Sequence, residues 1–223
     1  MADEAREMMQ AMMKRDQANK VRNFHMLNKV AKKGAVLFTG SSLMEQFPIS
    51  ELAAGAGIPG PIYNRGIGGT TTDDFLREIE AVLLELEPGK VFINIGTNDM
   101  TKNVYGDGWM DHLEANYEKI LQTAKMRIPV AEIYCMAYYP TNLHLPDQEP
   151  WALDMLRERT RENIAECNRR VQALAEKYGY HYIDVNDGLT NANGEQKEEY
   201  AIDGVHMWAD AYVVVFNNLK KYL

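Results

Sequence analysis

The sequence predicts an α/β fold in which helices cover both faces of a parallel β-sheet, giving three layers. Short, continuous apolar runs alternate along the chain with longer segments of helical periodicity. Strands of a parallel sheet have continuous apolar sequences because both of their faces are buried. The 223 residues contain no internal repeat and no low-complexity linker, so we expect a single domain.

Five apolar runs are predicted to form the sheet. In chain order they cover residues 35–39, 61–64, 91–95, 133–137 and 180–185. Helical patterns separate them, so successive strands are expected to be joined by right-handed crossovers. The prediction is therefore a five-stranded parallel sheet.

Helical patterns with one apolar face lie between and after these strands. The clearest cover residues 75–86, 113–128, 153–178 and 209–222. Thr72 is predicted to cap the first of them, because a hydroxyl followed by two acidic residues is typical of a helix start.

Residues 1–33 are predicted to be a helical segment that packs on the main domain, residues 34–223. An apolar stripe at helical spacing is formed in this segment by Ala5, Met8, Met9, Met12 and Met13. Packing of the stripe against the flank of the domain is the simpler interpretation. Methionine-rich surfaces also make adaptable interfaces, so a homodimer formed through this helix is a second hypothesis.

The chain is acidic, with 32 acidic and 24 basic side chains and a net charge of -8. Phosphate backbones and anionic membranes repel such a protein, so nucleic acid is not expected as a partner. No apolar stretch is long enough to span a bilayer, and the N-terminus lacks the positive flank of a signal peptide. The two cysteines, Cys135 and Cys167, are expected to be buried and unpaired in a cytoplasmic protein.

Small residues follow the first two predicted strands. Ser41 and Ser42 come after the first, where a helix start would offer free N–H groups and a favourable dipole to a developing anion. Gly66, Gly68 and Gly69 come after the second, and they allow the backbone to approach a ligand closely. Taken alone, the serine segment is better explained as a helix cap, and a tight turn explains the glycine segment equally well.

Later polar residues complete a set that acyl transfer requires. Asp203 precedes His206 by three residues, so its carboxylate can accept from Nδ1–H and leave Nε2 free to take a proton. Ser42 would then be the nucleophile and His206 its base. The N–H groups of Ser42 and Gly69, with the Asn98 amide after the third strand, would bind an oxyanion. These segments are expected to meet because the carboxyl ends of parallel strands share one crevice.

Two alternatives remain open. Metal-dependent hydrolysis needs ligands at compact spacing, and the five histidines show none, so no metal or other cofactor is expected. A protein that binds a sugar or an acyl group without cleaving it is the second alternative, because aromatic residues lie in or beside the loops near the site. The candidates for substrate contact are Tyr105, Trp109, Tyr138, Tyr139 and Trp151.

Four blocks of sequence occur in one order along the chain. They are Gly40-Ser41-Ser42-Leu43, Asn64-Arg65-Gly66-Ile67-Gly68-Gly69, Gly96-Thr97-Asn98-Asp99 and Asp203-Gly204-Val205-His206. In this combination the chain resembles the SGNH hydrolase superfamily, also called GDSL-like lipases and acylhydrolases. The resemblance implies a flavodoxin-like sandwich that cleaves carboxylic esters through an acyl-enzyme.

The resemblance also assigns roles to residues. It implies Ser42 as nucleophile, Asp203 and His206 as the rest of a catalytic triad, and Gly69 and Asn98 as oxyanion donors. Ser41 departs from the pattern, because the family usually has Asp there, and the register with Leu43 selects Ser42 over Ser41. The expected substrate is a small ester, such as an acylated sugar or a lipid-like ester, whose identity does not follow from the sequence.

Overall fold

A computed structural model describes residues 2–146, 148, 153–154 and 156–223. It confirms the predicted α/β fold, with five parallel strands in one sheet. Each strand lies on one of the predicted apolar runs: β1 (Val36–Gly40), β2 (Ile62–Asn64), β3 (Lys90–Asn94), β4 (Glu132–Met136) and β5 (His181–Ile183). The candidate substrate contact Trp151 lies outside the described residues.

The strand order in the sheet is β2-β1-β3-β4-β5. The chain winds outward from β1 to β2 and then returns to the other side of β1 to form β3. In open parallel sheets this reversal leaves a crevice outside the carboxyl ends of the two strands. The register pairs Gly40 at the end of β1 with Asn94 at the end of β3, so both residues lie at that crevice.

Helices connect the strands and cover both faces of the sheet. They are α1 (Ala2–Asn28), α2 (Ser42–Glu45), α3 (Ile49–Gly55), α4 (Thr72–Arg77), α5 (Lys102–Tyr105), α6 (Trp109–Arg127), α7 (Arg161–Tyr178) and α8 (Ala209–Leu219). No helix in the described part of the chain is long and apolar enough to span a bilayer.

The cap of α4 differs by one residue from the prediction. Thr71 is the N-cap, because its hydroxyl accepts from the Asp74 N–H at 3.3 Å and the Asp74 carboxylate accepts from the Thr71 N–H at 3.0 Å. The prediction of Thr72 as cap was therefore wrong, and Thr72 is the first residue of the helix. Its hydroxyl is used instead in a bond to Asp99.

Each face of the sheet buries its own apolar core. Leu37 on β1 points into the core covered by α1, α4, α6 and α7, whereas its neighbour Phe38 points into the core covered by α3 and α8. Phe38 stacks on Phe92 of β3 with ring centroids 4.6 Å apart. Cys135 and Cys167 are free and buried in the first core, as expected, and burial raises the pKa of each thiol to about 12.

Helix α1 is attached to the domain through its C-terminal half. Val21 and Phe24 pack on the first core. The Asn28 amide donates to the Ala81 carbonyl at 2.8 Å, and its oxygen accepts from Arg65 Nε at 3.0 Å. The Arg65 guanidinium also lies 4.8 Å from the centre of the Phe24 ring.

Only part of the methionine stripe lies against the domain. Met8, Met9 and Met12 are 64–71% exposed, whereas Met13 is 45% exposed and its Sδ lies near Gly69. The helix packs on the flank of the domain mainly through its later turns, where hydrogen bonds to the domain run from Gln17 to Asn28. The side chain of Ala5 lies outside the described part of the chain.

Gly40 allows β1 and β3 to approach closely at their carboxyl ends. A Cβ atom at this position would lie 1.9 Å from the Asn94 carbonyl oxygen and 2.7 Å from Met44 Cγ. Its φ of 151° is also one that residues with side chains rarely adopt. Asn94, a polar residue inside the buried strand, donates from Nδ2 to the Ala137 carbonyl at 2.9 Å, and its Oδ1 has no partner among the described residues.

We expect Gly40→Ala to lower the free energy of unfolding by on the order of 3 kcal/mol, because the methyl group must displace backbone atoms. Gly55→Ala is the matched control: Gly55 lies at the exposed end of α3, where an added Cβ would contact nothing within 4 Å. The control should be unchanged or stabilised by up to about 1 kcal/mol. Urea unfolding of both variants measures the difference, and equal stabilities would contradict the packing argument.

Candidate active site

The end of β1 passes directly into the short helix α2, which begins at Ser42. The Ser42 hydroxyl is partly exposed and lies 2.9 Å from His206 Nε2. The Ser42 N–H is at the first turn of the helix and donates to no acceptor in the described chain. Ser41, in contrast, is buried, and its hydroxyl has no hydrogen-bond partner among the described residues.

Asp203 holds His206 by both its ring and its backbone. One carboxylate oxygen lies 2.6 Å from His206 Nδ1, and the other accepts from the N–H groups of Val205 at 3.0 Å and His206 at 2.8 Å. Because an ionised carboxylate can only accept, Nδ1 carries the proton in this pair. Nε2 is therefore free to accept a proton from Ser42.

The charge of Asp203 is stabilised by these contacts. Burial by itself would raise the pKa of the carboxyl group, but the hydrogen bonds from the His206 ring and the two N–H groups outweigh burial. They lower the pKa of Asp203 from 3.8 to about 2. The carboxylate thus remains ionised at neutral pH and can stabilise a positive charge that forms on His206.

The glycine segment after β2 lies against Ser42. A Cβ atom on Gly68 would be 3.8 Å from Ser42 Cβ and 2.9 Å from the Glu45 carboxylate, so an added side chain here would displace Glu45. Gly69 has a φ of 72°, in the left-handed region that favours glycine. Its N–H, like that of Ser42, donates to no acceptor in the described ranges.

Asn98 follows β3, and both the NH2 group and the oxygen of its side-chain amide form hydrogen bonds. Its Nδ2 donates to the Thr70 carbonyl at 2.9 Å, and its oxygen accepts from Arg159 Nη2 at 3.2 Å. These two contacts decide the orientation of the amide, because a flipped amide would direct its NH2 group at the guanidinium. The second hydrogen on Nδ2 is then available to a ligand.

Arg159 is a buried cation without a carboxylate partner. The side chain is 4% exposed, its Nε has no hydrogen-bond partner, and no ion pair links it to another described residue. Burial lowers the pKa of Arg159 from 12.5 to about 10, against the attraction of the Asp203 and Asp99 carboxylates. The guanidinium therefore carries its charge at neutral pH, behind Asn98.

Asp99, the neighbour of Asn98, is fully buried and connects two loops of the site. Its carboxylate accepts from the Thr72 N–H at 3.0 and 3.1 Å and from the Thr72 hydroxyl. These bonds join the end of β3 to the first residue of α4 and so help to place the glycine segment that precedes α4. Desolvation outweighs the bonds from Thr72 and raises the pKa of Asp99 to about 6.

The structure differs from the expectation for most of the candidate aromatic contacts. Trp109, Tyr138 and Tyr139 are each no more than 3% exposed and belong to the two apolar cores. Their rings pack against the other apolar residues of these cores. Tyr105 is partly exposed, but its hydroxyl donates to Asp73 at 2.9 Å and its ring stacks on His112.

Three cavities of about 450 Å³ or more lie in the described part of the chain, and neither Ser42 nor His206 lines any of them. The largest, about 1070 Å³, lies past the ends of β4 and β5 between residues 138–144 and 184–195. The second, about 520 Å³, lies between the C-terminal end of α1 and residues 80–87. The third, about 450 Å³, lies between α1 and α4 and is bordered by Gly69. Among the described residues, no group of three or more His, Cys, Asp and Glu side chains is placed to hold a metal ion.

Comparison with known families decides the class of the protein. A model of the GDSL-like lipase/acylhydrolase family matches residues 47–214, which is most of the chain. The chain belongs to the GDSL-like lipase/acylhydrolase family. The matched range includes three of the four sequence blocks and begins just after the block that contains Ser42.

Individual relatives agree with this membership. The platelet-activating factor acetylhydrolase IB subunit alpha1 of Bos taurus is 26% identical over 194 residues, which cover 86% of this chain and 76% of the relative. A solved structure from Streptococcus pneumoniae, named for platelet activating factor, has a TM-score of 0.86 and 29% identity, covering 99% of this chain and 98% of the other. Axe2, an acetylxylan esterase from Geobacillus stearothermophilus, shares the fold with a TM-score of 0.64 at 18% identity, covering 86% and 95%.

Membership makes this GDSL-like protein a carboxylic ester hydrolase. The fold of its relatives is the flavodoxin-like sandwich found here, so that prediction is confirmed. The structure also brings together the segments that the sequence selected around Ser42, Gly69, Asn98 and His206. The distances given above describe that arrangement.

Three side chains in contact with these segments were not assigned a role from the sequence. They are Gln17, which donates to the Gly68 carbonyl, Glu45, which accepts from the Gly68 N–H, and Arg159 behind Asn98. Glu45 lies one helical turn after Ser42, so its spacing was a usable signal. Gln17 and Arg159 lie in segments with no motif, and only the folded chain brings them to the site.

The raised pKa of Asp99 predicts a pH dependence of stability. The folded protein binds this proton more tightly than the unfolded chain, so the contribution of Asp99 is fully present below about pH 4 and is lost as the pH rises through about 6. Relative to Asp99→Asn, the wild type should therefore lose on the order of 2–3 kcal/mol of unfolding free energy between about pH 4 and pH 7.

Urea unfolding of both proteins at several pH values measures this difference. Asp187→Asn is the matched control, because Asp187 is exposed and the same substitution there should leave the pH profile parallel to that of the wild type. Parallel profiles for Asp99→Asn and the wild type would contradict the raised pKa.

Proposed function

We propose that this ester hydrolase works through an acyl-enzyme, with Ser42 as nucleophile, His206 as general base and acid, and Asp203 as the group that orients His206. The observation that carries the proposal is the continuous chain of contacts from Ser42 Oγ to His206 Nε2 at 2.9 Å and from His206 Nδ1 to Asp203 at 2.6 Å. This is the order of donor and acceptor that acyl transfer by a serine requires.

Acylation begins when Ser42 Oγ attacks the ester carbonyl carbon and its proton passes to His206 Nε2. The imidazolium that forms is stabilised by the ionised Asp203. Collapse of the tetrahedral intermediate breaks the bond to the alcohol oxygen, and His206 returns its proton to that oxygen. The alcohol leaves, and the acyl group stays on Ser42.

The negative charge of the tetrahedral intermediate needs fixed donors, and three are available. They are the N–H groups of Ser42 and Gly69, which have no acceptor in the described chain, and the second hydrogen of the Asn98 amide. Donors that are already oriented stabilise a developing oxyanion without reorganisation during the reaction. The charge of Arg159 behind Asn98 strengthens the amide as a donor.

Deacylation repeats these steps with water in place of Ser42. His206 Nε2 takes a proton from water as the oxygen attacks the acyl carbon, and the same donors hold the second oxyanion. Breakage of the bond to Ser42 Oγ then returns the proton to the serine and releases the carboxylic acid.

The substrate class we propose is an ester of a short acyl group, of which acetate is the simplest. A relative that matches over most of this chain is named an acetylhydrolase, and Axe2 is named an acetylxylan esterase.

Ser42→Ala should lower kcat on a chromogenic aryl acetate by at least about 10³-fold, because the nucleophile is lost. Ser41→Ala is the matched control. The Ser41 hydroxyl is buried without a partner among the described residues, so its removal should leave turnover unchanged. Equal turnover by the wild type and Ser42→Ala would contradict the mechanism, whereas no turnover by either protein on varied esters would favour a protein that binds an acyl group or sugar without cleaving it.

A series of aryl esters that differ only in the acyl group tests the substrate class. We expect kcat/KM to fall by about 10-fold or more between acetate and octanoate, because a pocket shaped for a short acyl group discriminates against added methylenes at this level. Rates are measured for the wild type and corrected with Ser42→Ala as the background. A maximum at octanoate or longer would instead indicate a lipid-like substrate.

A further inference from the structure

Helix α1 lies directly on the glycine segment that carries one of the proposed oxyanion donors. Gln17 Nε2 donates to the Gly68 carbonyl at 2.8 Å. A Cβ atom on Gly69 would lie 2.9 Å from Met13 Sδ and 3.3 Å from Gln17 Nε2. Both α1 residues lie outside the range matched by the family model, 47–214.

The Gln17 contact determines where the Gly69 N–H points. The Gly68 carbonyl and the Gly69 N–H belong to the same peptide unit, which is planar and trans, so they point in opposite directions. A donor that holds the carbonyl on the α1 side therefore directs the N–H away from α1. Donation to the carbonyl also polarises the peptide and makes its N–H a stronger donor.

The peptide between Gly68 and Gly69 needs an outside contact to fix its orientation, because both of the residues that it joins are glycines. Without Cβ atoms, Gly68 and Gly69 can exchange between positive and negative φ at little cost, and such an exchange would rotate the peptide between them. The preceding N–H, of Gly68, is already held by the Glu45 carboxylate at 2.5 Å, and Glu45 pairs with Lys20 of α1 at 2.5 Å. Gln17 holds the remaining free group, the carbonyl.

We propose that Gln17 is a positioning residue for the oxyanion hole and that α1 is therefore part of the active site of this protein. The inference rests on the proposed function, because it assigns to Gln17 the orientation of a donor that acts on the tetrahedral intermediate. Loss of a whole oxyanion donor costs on the order of 10²–10³ in kcat. Loss of the hydrogen bond that orients the donor should lower kcat by less, about 10-fold. KM should change little because the oxyanion exists only in the transition state.

Two substitutions separate hydrogen bonding from packing. Gln17→Leu keeps most of the side-chain volume but donates nothing. Gln17→Glu keeps the shape and donates to the carbonyl only when its carboxyl group is protonated. Gln10→Glu is the matched control, since it makes the same change of charge at an exposed position of the same helix. Gln17 is itself partly exposed, so we expect all three variants to fold, and thermal unfolding checks this.

The pH profile of Gln17→Glu distinguishes a positioning role from a structural one. The charged groups around position 17 are Lys14, Asp16 and Lys20 on α1, Glu45 on α2, and Asp74, Arg77 and Glu78 on and after α4. Gln10→Glu and the wild type keep all of these groups. The ratio of Gln17→Glu to wild-type activity on an aryl acetate therefore reports the added carboxyl group alone.

We expect Gln17→Leu to lower kcat by about 10-fold at every pH. Gln17→Glu should be as low as Gln17→Leu at pH 8, and its activity relative to the wild type should recover several-fold toward pH 5, as the carboxyl group gains its proton. Gln10→Glu should match the wild type throughout.

If the wild type shows Ser42-dependent turnover and Gln17→Leu has the same kcat as the wild type, the role of Gln17 is overturned and the proposed function stands. A loss in Gln17→Glu that stays constant from pH 8 to pH 5 would overturn that role as well, since it would indicate packing or charge. If the wild type shows no Ser42-dependent turnover, the proposed function fails, and the role of Gln17 fails with it.

Discussion

The close approach of β1 and β3 at their carboxyl ends determines where the rest of the site can lie. Because Gly40 has no side chain, the Asn94 carbonyl reaches this point of the chain and accepts from the Ser41 N–H at 3.3 Å. The chain then enters α2 at Ser42 directly above the reversal in strand order. The loops that leave the neighbouring strands at the same edge of the sheet lie next to this serine. A side chain at position 40 would push β1 and β3 apart and so separate these loops.

Three ionisable side chains at this crevice are buried or partly buried, and burial by itself favours their neutral forms. Asp203 keeps its charge because three donors surround the carboxylate, whereas Asp99, whose carboxylate accepts from Thr72 alone among the described residues, binds a proton more readily than a free aspartate does. Arg159 stays charged without an ion pair to any residue that the structure describes. A buried cation costs several kcal/mol to desolvate, so its retention beside Asn98 is consistent with a site that stabilises negative charge.

The N-terminal helix has two different halves. Its later turns, from Gln17 to Asn28, bind the domain through polar contacts and the Arg65–Phe24 stacking, while Met8, Met9 and Met12 of the first half are largely exposed. Met13, at the boundary between the halves, lies near Gly69. Apolar spacing identifies one face of a helix, but it does not say which face the rest of the chain covers.

The sequence by itself determined the sheet and the motifs of this protein, because apolar strands and glycine turns are local properties that need no partner to be recognised. Five strands and the segments around Ser42, Gly69, Asn98 and His206 were found in this way. Only the tertiary structure decided the burial of Trp109, Tyr138 and Tyr139, and the contacts of Gln17 and Arg159 with the site. Those facts depend on which distant segments pack together, and no periodicity or spacing within a single segment encodes such long-range contacts.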